Sequence, residues 1–250
     1  KGRAIQNLIN IEQDDKVMAF ICTQDLKDED YINSHYVIMA TKKGQVKKTS
    51  LEQYSRPRTN GINAITIKEG DELLEAKLTT GNSQVMLALK SGKAIRFEEA
   101  KTRPMGRNAS GVRGITLAND KDEVVGMIAV DDMDSNILVV SENGYGKRSS
   151  LDDYRITNRG GKGVKTISIT EKTGNLVSVK NVTDEDDLMI INKSGIAIRM
   201  EVSDLRVMGR ATQGVKLINL KGNDSIAAVA KVMKDDDDDS VIDAELDVTE

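Results

Sequence analysis

The sequence is poor in the residues that usually carry metal, redox or catalytic chemistry. Its 250 residues include no tryptophan, two prolines, one cysteine (Cys22) and one histidine (His35). A single cysteine cannot form an internal disulfide, and one cysteine with one histidine cannot build an ordinary zinc site. His35 has no recognisable nucleophile and orienting acid to complete a triad. We therefore expect that this chain is not itself an enzyme and that it holds no metal and no cofactor.

Long apolar runs are also missing. No run approaches the roughly 20 residues that a membrane-spanning helix needs, and no signal peptide opens the chain. Hydrophobic residues make up 38% of the sequence but aromatic residues only 3%, so the core is expected to be aliphatic. These features predict a cytoplasmic protein with no membrane partner.

The net charge of −4 conceals a strong segregation of charge along the chain. Residues 235–250 carry nine acids and no base, and the rest of the chain has 36 bases against 31 acids. A segment of this composition cannot bury enough apolar surface to fold alone. We expect a disordered acidic tail at 235–250 that competes with nucleic acid for a basic folded body, or that serves only to keep the protein in solution.

Two glycines mark a repeat that occurs four times. The first glycine ends an apolar run, and the four copies of it are 48, 52 and 51 residues apart. The second glycine follows 17 to 19 residues later, with an arginine three or four residues before it and an isoleucine four residues after it. The first glycines are Gly44, Gly92, Gly144 and Gly195, the second are Gly61, Gly111, Gly163 and Gly214, and the isoleucines are Ile65, Ile115, Ile167 and Ile218.

Each repeat is interpreted as four short strands. The first two form a hairpin around the first glycine, the third follows the second glycine, and the fourth follows an acidic turn. The fold class is therefore all-β, with blades of about 50 residues arranged around an axis. Residues 1–36 resemble the second half of a repeat, so the chain is expected to begin in mid-repeat. The predicted organisation is one domain over 1–234, with a partial blade at 1–36 and blades at 37–83, 84–135, 136–187 and 188–234.

Basic residues concentrate in the same half of every repeat. The windows 42–68, 90–113, 142–165 and 193–216 together hold 25 bases and 8 acids, while the remainder of the chain holds 11 bases and 32 acids. Equivalent positions in successive blades would form one curved basic strip, which suits the closely spaced phosphates of duplex DNA. Few aromatic residues and no recognition helix argue against base stacking and base readout.

The predicted partner is therefore double-stranded DNA, bound and bent without sequence preference. The predicted contacts are bases of the four windows, including the base four residues after each first glycine and the arginine before each second glycine. They are Lys43, Lys47, Lys48, Arg56, Arg58, Lys93, Arg96, Arg103, Arg107, Arg113, Lys147, Arg148, Arg155, Arg159, Lys162, Lys165, Arg199, Arg206, Arg210 and Lys216.

One loop combines bases with several glycines. In Arg159-Gly160-Gly161-Lys162-Gly163 the glycines allow backbone amides to approach a phosphate closely, and Arg159 and Lys162 supply positive charge. The loop lacks the spacing and the following Ser or Thr of a nucleotide-binding P-loop. It is therefore expected on the outer rim, before the third strand of its blade, as a contact for DNA.

The sequence resembles the C-terminal domain of the bacterial DNA gyrase A subunit over essentially its whole length. The segments that carry the resemblance are Thr41-Lys42-Lys43-Gly44-Gln45-Val46-Lys47-Lys48-Thr49, Arg103-Pro104-Met105-Gly106-Arg107-Asn108-Ala109-Ser110-Gly111-Val112-Arg113-Gly114-Ile115, Asn143-Gly144-Tyr145-Gly146-Lys147-Arg148 and Gly209-Arg210-Ala211-Thr212-Gln213-Gly214-Val215. The family's hallmark box reads Gln-Arg-Arg-Gly-Gly-Lys-Gly, and residues 157–163 match its last five positions.

The resemblance implies a six-bladed β-pinwheel in which each blade exchanges a strand with its neighbour. It further implies that DNA wraps around the basic rim and that this wrap supports ATP-dependent negative supercoiling. The implied holoenzyme contains the B subunit and the rest of the A subunit and is associated with the nucleoid. Because the box lies on the first blade in the family, that blade would precede residue 1, and binding without a full wrap is expected.

Three alternatives remain open at this stage. The C-terminal DNA-binding domain of topoisomerase IV uses related blades. A protein-binding β-propeller scaffold would need apolar or aromatic loop residues, where this sequence has Arg, Lys, Gly and Asn. A ligand-binding or glycan-hydrolysing propeller would need clustered carboxylates and tryptophans, and the sequence has no tryptophan.

Overall fold

The computed structural model describes residues 15–222 and 224–233, and the fold of this part is all-β. The long strands are β1 (Tyr36–Thr41), β2 (Gln45–Ser50), β3 (Leu73–Thr79), β4 (Gln84–Leu89), β5 (Lys93–Glu98), β7 (Val124–Val130), β8 (Asn136–Ser141), β9 (Tyr145–Ser150), β11 (Leu176–Val182), β12 (Asp186–Asn192), β13 (Ala197–Glu201) and β15 (Ile226–Met233). Three short strands are β6 (Val112–Arg113), β10 (Val164–Lys165) and β14 (Val215–Lys216). Short 3-10 helices cover Leu51–Tyr54, Glu99–Lys101 and Leu151–Asp153.

Each of the first three sheets contains a strand that belongs to a following repeat. The four antiparallel sheets have the strand orders β3-β1-β2-β6, β10-β5-β4-β7, β11-β8-β9-β14 and β13-β12-β15. In the first sheet β6 reaches back from the second repeat, and Val112 pairs with Val46. The strand β10 makes the same exchange onto β5, and β14 onto β9. Both the all-β fold and the strand exchange implied by the resemblance are confirmed.

The second glycine is required by this exchange. Gly163 has φ +70°, and a Cβ atom there would lie 2.5 Å from the carbonyl oxygen of Ala94 on the neighbouring sheet. Gly111 and Gly214 meet backbone carbonyls of their neighbouring sheets at the same 2.5 Å. Because no side chain fits between backbones at this distance, the recurrent glycine is the point where one repeat crosses onto the sheet of the preceding one.

The last sheet differs from the other three. Within the described residues β13 pairs only with β12, so this sheet has three strands where a four-stranded blade was predicted. In β13 exposed and half-buried side chains alternate, whereas the equivalent strands β2, β5 and β9 have four consecutive buried residues. The difference accompanies the exchange: a following repeat adds a strand beside β2, β5 and β9, and none pairs there with β13 in the described residues.

The segment before β1 contains a helix that the repeat pattern does not predict. Helix α1 spans Glu29–Ser34, and the Asp28 carboxylate caps it by accepting the N–H groups of Asp30 and Tyr31. Its buried Ile32 packs into an apolar cluster with Val37. Part of the predicted partial blade at 1–36 and the whole predicted tail at 235–250 lie outside the described residues.

The core is aliphatic, as the composition predicts. Four apolar clusters are formed by the long strands, and Phe97 and Tyr154 are the buried aromatic residues among the described ones. The fourth strands of neighbouring repeats, β3 with β7, β7 with β11 and β11 with β15, pack against one another. No helix in the described residues is long and apolar enough to cross a membrane.

Candidate nucleic-acid interface

Three equivalent loops carry seven of the twenty predicted DNA contacts, and we call them the rim loops. They span residues 103–111, 155–163 and 206–214, between the hairpin of each repeat and its exchanged strand. Each loop lies along the second hairpin strand of the preceding repeat, bound through its backbone. The bonds run from Met105 N to Lys48 O at 2.8 Å, from Thr157 N to Arg96 O at 2.9 Å and from Met208 N to Arg148 O at 2.9 Å.

The arginine before each second glycine links its rim loop to the preceding repeat. Nη1 of Arg107 donates to Asn63 O at 3.4 Å, Nη1 of Arg159 to Arg113 O at 3.1 Å and Nη1 of Arg210 to Lys165 O at 2.8 Å. In all three cases the acceptor is the residue two positions after the second glycine of the preceding repeat. The arginines are half-buried and held in place, and a guanidinium has five N–H donors, so further donors remain for a ligand.

Hydroxyl residues one position after the recurrent isoleucine make a second set of links. Oγ1 of Thr66 donates to Asn108 O and Oγ1 of Thr116 donates to Gly160 O, both at 2.7 Å. In the next pair of repeats the backbone N–H of Ser168 donates to Thr212 O at 3.1 Å. The rim loops therefore form a continuous chain around the molecule, from the first described repeat to the fourth.

The glycine-rich loop has a tighter geometry than its neighbours. Gly160 has φ +84° and its N–H donates to Gly114 O at 2.6 Å, while Nε of Arg159 donates to Lys101 O at 3.0 Å. Beside the loop lies a cavity of about 260 Å³, lined in part by Arg155, Lys162 and backbone of the glycines. A cavity bordered by bases and by glycine backbone is suited to an anionic group such as phosphate.

Fifteen of the twenty predicted contact residues lie wholly or partly at the surface. Four of these are half-buried, namely Lys93, Arg107, Arg159 and Arg210. The exposed ones are Lys43, Arg56, Arg58, Arg103, Arg113, Arg155, Lys162, Lys165, Arg199, Arg206 and Lys216. The predicted concentration of positive charge thus corresponds largely to solvent-facing side chains on or beside the rim loops.

The other five predicted contacts are buried, which corrects the sequence interpretation. Lys47, Lys48, Arg96, Lys147 and Arg148 have between 0% and 7% of their surface exposed. Covered by the exchanged strand and the rim loop of the next repeat, they are not placed where a phosphate can reach them. Consecutive buried residues in a strand require cover on both faces, and the loops of the next repeat that bind these side chains supply part of that cover.

The base four residues after the first glycine joins adjacent repeats. Nη1 of Arg96 donates to the carbonyl oxygens of Leu151 at 2.7 Å and Tyr154 at 2.9 Å, both in the next repeat. Burial lowers the pKa of the Arg96 guanidinium. Lys48 uses a carboxylate instead, with Nζ 2.9 Å from Oε1 of the buried Glu99. Exposed Arg199, in the last sheet, pairs with Asp187 at 2.6 Å.

Arg148 makes a third version of the same connection. It donates to the carbonyl oxygen of Leu205 in the next repeat and pairs with the carboxylate of Asp184. These contacts give the recurrent base at this position a structural role, which is to join one repeat to the next.

Some residues of the rim carry sequence signals and others do not. The hydroxyl residues Thr66, Thr116 and Ser168 recur five positions after the second glycine, and this spacing could have identified them. The carbonyl acceptors at Asn63, Arg113 and Lys165 have no such signal, because a backbone oxygen is present whatever the side chain.

Together these observations define a class of protein: a β-repeat domain with exchanged strands and a continuous, arginine-linked basic rim. A family model described as the DNA gyrase C-terminal domain, beta-propeller, matches residues 35–80, 85–131, 135–183 and 186–233. The chain belongs to the family of DNA gyrase A C-terminal domains.

Similar proteins agree with this assignment. The chain is 44% identical to the DNA gyrase A subunit of Staphylococcus aureus (strain NCTC 8325 / PS 47) over 241 residues, which cover 96% of the chain and 27% of that protein. It therefore spans about a quarter of the length of such relatives.

Two solved structures have the same fold. A DNA gyrase A C-terminal domain superimposes with a TM-score of 0.81 at 24% identity, covering 93% of this chain and 76% of that one. The C-terminal domain of a DNA topoisomerase IV superimposes with a TM-score of 0.84 at 24% identity, covering 93% and 71%. At this level of identity the likeness concerns the fold.

Proposed function

We propose that the chain binds and bends duplex DNA along the rim loops, without sequence preference. The observation that carries the proposal is the chain of arginines that joins successive rim loops, Arg107 to Asn63, Arg159 to Arg113 and Arg210 to Lys165. Phosphate contacts from positioned Arg and Lys side chains supply affinity that does not depend on base sequence. The proposed contacts are the fifteen bases that lie wholly or partly at the surface.

The glycine-rich loop is proposed as one phosphate contact among several. Its Arg155 and Lys162 are exposed beside the cavity, and Arg159 is anchored by two backbone carbonyls. Anchoring reduces the entropy that a side chain loses when it binds, so positioned arginines are more effective contacts than freely moving ones.

In the cell we propose a non-catalytic role within DNA gyrase, in the cytoplasm and associated with the nucleoid. The chain would present DNA to the B subunit and to the remainder of the A subunit, and bending around the rim would support ATP-dependent negative supercoiling. Family membership and the similarity to the Staphylococcus aureus protein support this assembly. A role in topoisomerase IV is the second candidate, because the C-terminal domain of a topoisomerase IV shares this fold.

A protein-binding scaffold is less well supported. Its docking surface would need a row of apolar or aromatic side chains, and the rim loops present mainly bases, although Ile156 and Val207 are 46% and 50% exposed. These two residues lie directly after Arg155 and Arg206, where positive charge dominates the surface.

The test is a gel-shift titration of the whole chain with duplexes of increasing length, at two or more salt concentrations. We expect similar affinity for unrelated sequences and a steep loss with salt, with a slope in log K against log salt of about −0.9 for each phosphate neutralised. About six contacts would give a slope near −5. A slope near zero, or tight binding to one sequence alone, would overturn the proposal.

A matched pair of variants locates the surface. Arg155→Ala removes an exposed base from a rim loop, whereas Lys121→Ala removes an exposed base from the acidic turn beside Asp120 and Asp122. We expect only the first to weaken binding. Equal effects of the two substitutions would show that net charge, and not the rim, determines affinity.

A further inference from the structure

Two buried lysines form hydrogen bonds with the backbone of the rim loops. Lys47 and Lys147 occupy the same repeat position, three residues after the first glycine, and are 0% and 1% exposed. Nζ of Lys147 donates to Gly209 O at 2.6 Å and to Oγ1 of Thr212 at 3.1 Å. Nζ of Lys47 donates to the carbonyl oxygens of Ala64 and Arg107. Both ammonium groups are therefore bound to backbone of an arginine-bearing loop in the next repeat.

No carboxylate among the described residues binds either charge directly, although Asp153 lies near enough to Lys147 to raise its pKa. Within the described residues neither lysine forms an ion pair with a carboxylate. Burial of a cation without such a partner is costly, because carbonyl oxygens replace only part of its hydration. A residue that serves packing alone would not need to carry this charge.

The second repeat shows that the fold can do without a charge at this position. Its residue there is Ile95, 2% exposed, and the glycine-rich rim loop packs directly on it, since a Cβ on Gly161 would lie 3.4 Å from its Cδ1. The exchanged strand is seated on β5 as it is on β2 and β9. The same exchange thus forms over an apolar side chain, and the charge of the two lysines needs another explanation.

We propose that Lys47 and Lys147 are positioning residues for DNA binding, which hold the rim loops of Arg107 and Arg210 through their backbone and place a fixed positive charge beneath them. This inference rests on the proposed function. The loop over Ile95 has a different support, because Arg159 donates to two carbonyls and its glycines allow close backbone contact. The rim therefore combines two kinds of support, one charged and one apolar.

The protonation state of the two lysines makes the proposal testable. Burial is the main cause that lowers the pKa of each to about 8, and the nearby guanidinium of Arg107 or Arg210 lowers it further, while Asp153 raises that of Lys147. Above pH 8 the amines become neutral, so the fixed charge disappears and the hydrogen bonds to the loops lose their charge assistance. A bound phosphate chain favours the protonated form, so DNA binding and proton uptake are coupled.

Other groups in these two clusters do not titrate in the same range. Tyr54 shares the Ala64 carbonyl with Lys47, and Tyr154 lies in the strand-to-loop connection near Lys147. Burial raises the pKa of both tyrosines above the ordinary 10.0. Within these two clusters, the lysines are therefore the groups expected to change charge between about pH 7 and about pH 9.5.

The experiment measures the DNA affinity of the whole chain at constant ionic strength from about pH 7 to about pH 9.5. This range brackets the lowered pKa of about 8 of the two lysines. The variants are wild type, the double variant Lys47→Met/Lys147→Met, and the control Ile95→Met, which alters the same repeat position without removing a charge. Thermal melting of each variant checks folding. We expect the wild type and the control to lose roughly fivefold in affinity with rising pH, the lower end of typical coupling between sites.

The double variant is expected to bind more weakly than wild type at the neutral end of this range and to show no further loss at the alkaline end. A double variant with the same pH profile as wild type, or a wild type with none, overturns the inference while leaving DNA binding intact. Absence of salt-dependent DNA binding by the wild type at neutral pH instead overturns the proposed function. If the double variant fails to fold, the single variant Lys147→Met is used. It is expected to halve the pH-dependent decrease in log DNA affinity, and an unchanged decrease counts against the proposal.

Discussion

Arg159 reaches across a repeat boundary to bind the carbonyl oxygen of Arg113, with 3.1 Å between Nη1 and O. The acceptor residue is itself an exposed base, so one arginine is held in place by the backbone of another. The same relationship joins Arg210 to Lys165. Backbone carbonyl oxygens thus hold these arginines in place. Carboxylates, which would neutralise the positive charge of the rim, are not needed for this purpose.

Replacing Arg159 by Ala should weaken DNA binding modestly and equally for all sequences. One phosphate contact is lost from a distributed set, so the slope of log K against log salt should become shallower by about one. Gel shifts with two unrelated duplexes of equal length measure this. Lys121→Ala serves as the control, and complete loss of binding from Arg159→Ala alone would contradict a distributed rim.

Replacing Gly163 by Ala should destabilise the fold. The new Cβ would lie 2.5 Å from Ala94 O, at a residue whose φ is +70°, so the exchanged strand must move away from β5. Strain of this kind typically costs about 1–3 kcal/mol. Chemical denaturation measures the free energy of unfolding.

Gly209→Ala is the matched control for Gly163→Ala. Gly209 also lies in a rim loop, but no atom lies within 4 Å of a Cβ placed there and its φ is not in the left-handed region. We expect little change in unfolding free energy from this variant. Equal destabilisation by both substitutions would argue against close backbone approach as the reason for the second glycine.

Replacing Lys48 by Met should be strongly destabilising, because Glu99 would remain buried without its cation. Glu99 is 0% exposed, and it also accepts hydrogen bonds from Oγ1 of Thr79 at 2.7 Å and from Ser83 N at 3.2 Å. Removing one partner of a buried pair typically costs about 3–5 kcal/mol. The double variant Lys48→Met/Glu99→Gln should recover most of this loss, since removing the carboxylate's charge removes the cost of leaving it unpaired, and failure to recover would show that packing dominates.

Folding stability should rise with pH above about 8 through Lys47 and Lys147, whose pKa values are lowered to about 8 from 10.5. Between these values the unfolded chain holds more protons than the folded one, so the free energy of unfolding increases with pH. The gain by about pH 9.5 is on the order of 2 kcal/mol for each lysine. Denaturant titrations at pH values on either side of this range measure it.

The double variant Lys47→Met/Lys147→Met should lack this gain in stability. DNA affinity is expected to fall over the same pH range in which the free energy of unfolding rises. The two measurements therefore distinguish the destabilisation caused by the buried charges from their contribution to DNA binding. A wild type whose stability falls in alkaline solution, relative to the double variant, would contradict the expected sign of the pH dependence.

The sequence by itself determined the repeat, the hairpins and the location of the basic surface. These are local properties: a first glycine such as Gly144, with φ +79°, forms a turn whatever surrounds it. An unequal distribution of bases along the chain likewise becomes an unequal surface, because most charged side chains remain in water. For these reasons the all-β fold and the exposed bases such as Arg155 and Lys162 could be predicted.

Only the tertiary structure determined which basic side chains are buried. In β2 the sequence Lys47-Lys48 is typical of a solvent-facing strand, yet both side chains are buried. Their burial depends on a strand that comes from the following repeat, where Val112 pairs with Val46. Contacts between residues so far apart are not visible in the local sequence pattern. A buried lysine that anchors the next repeat and an exposed lysine therefore look the same in the sequence.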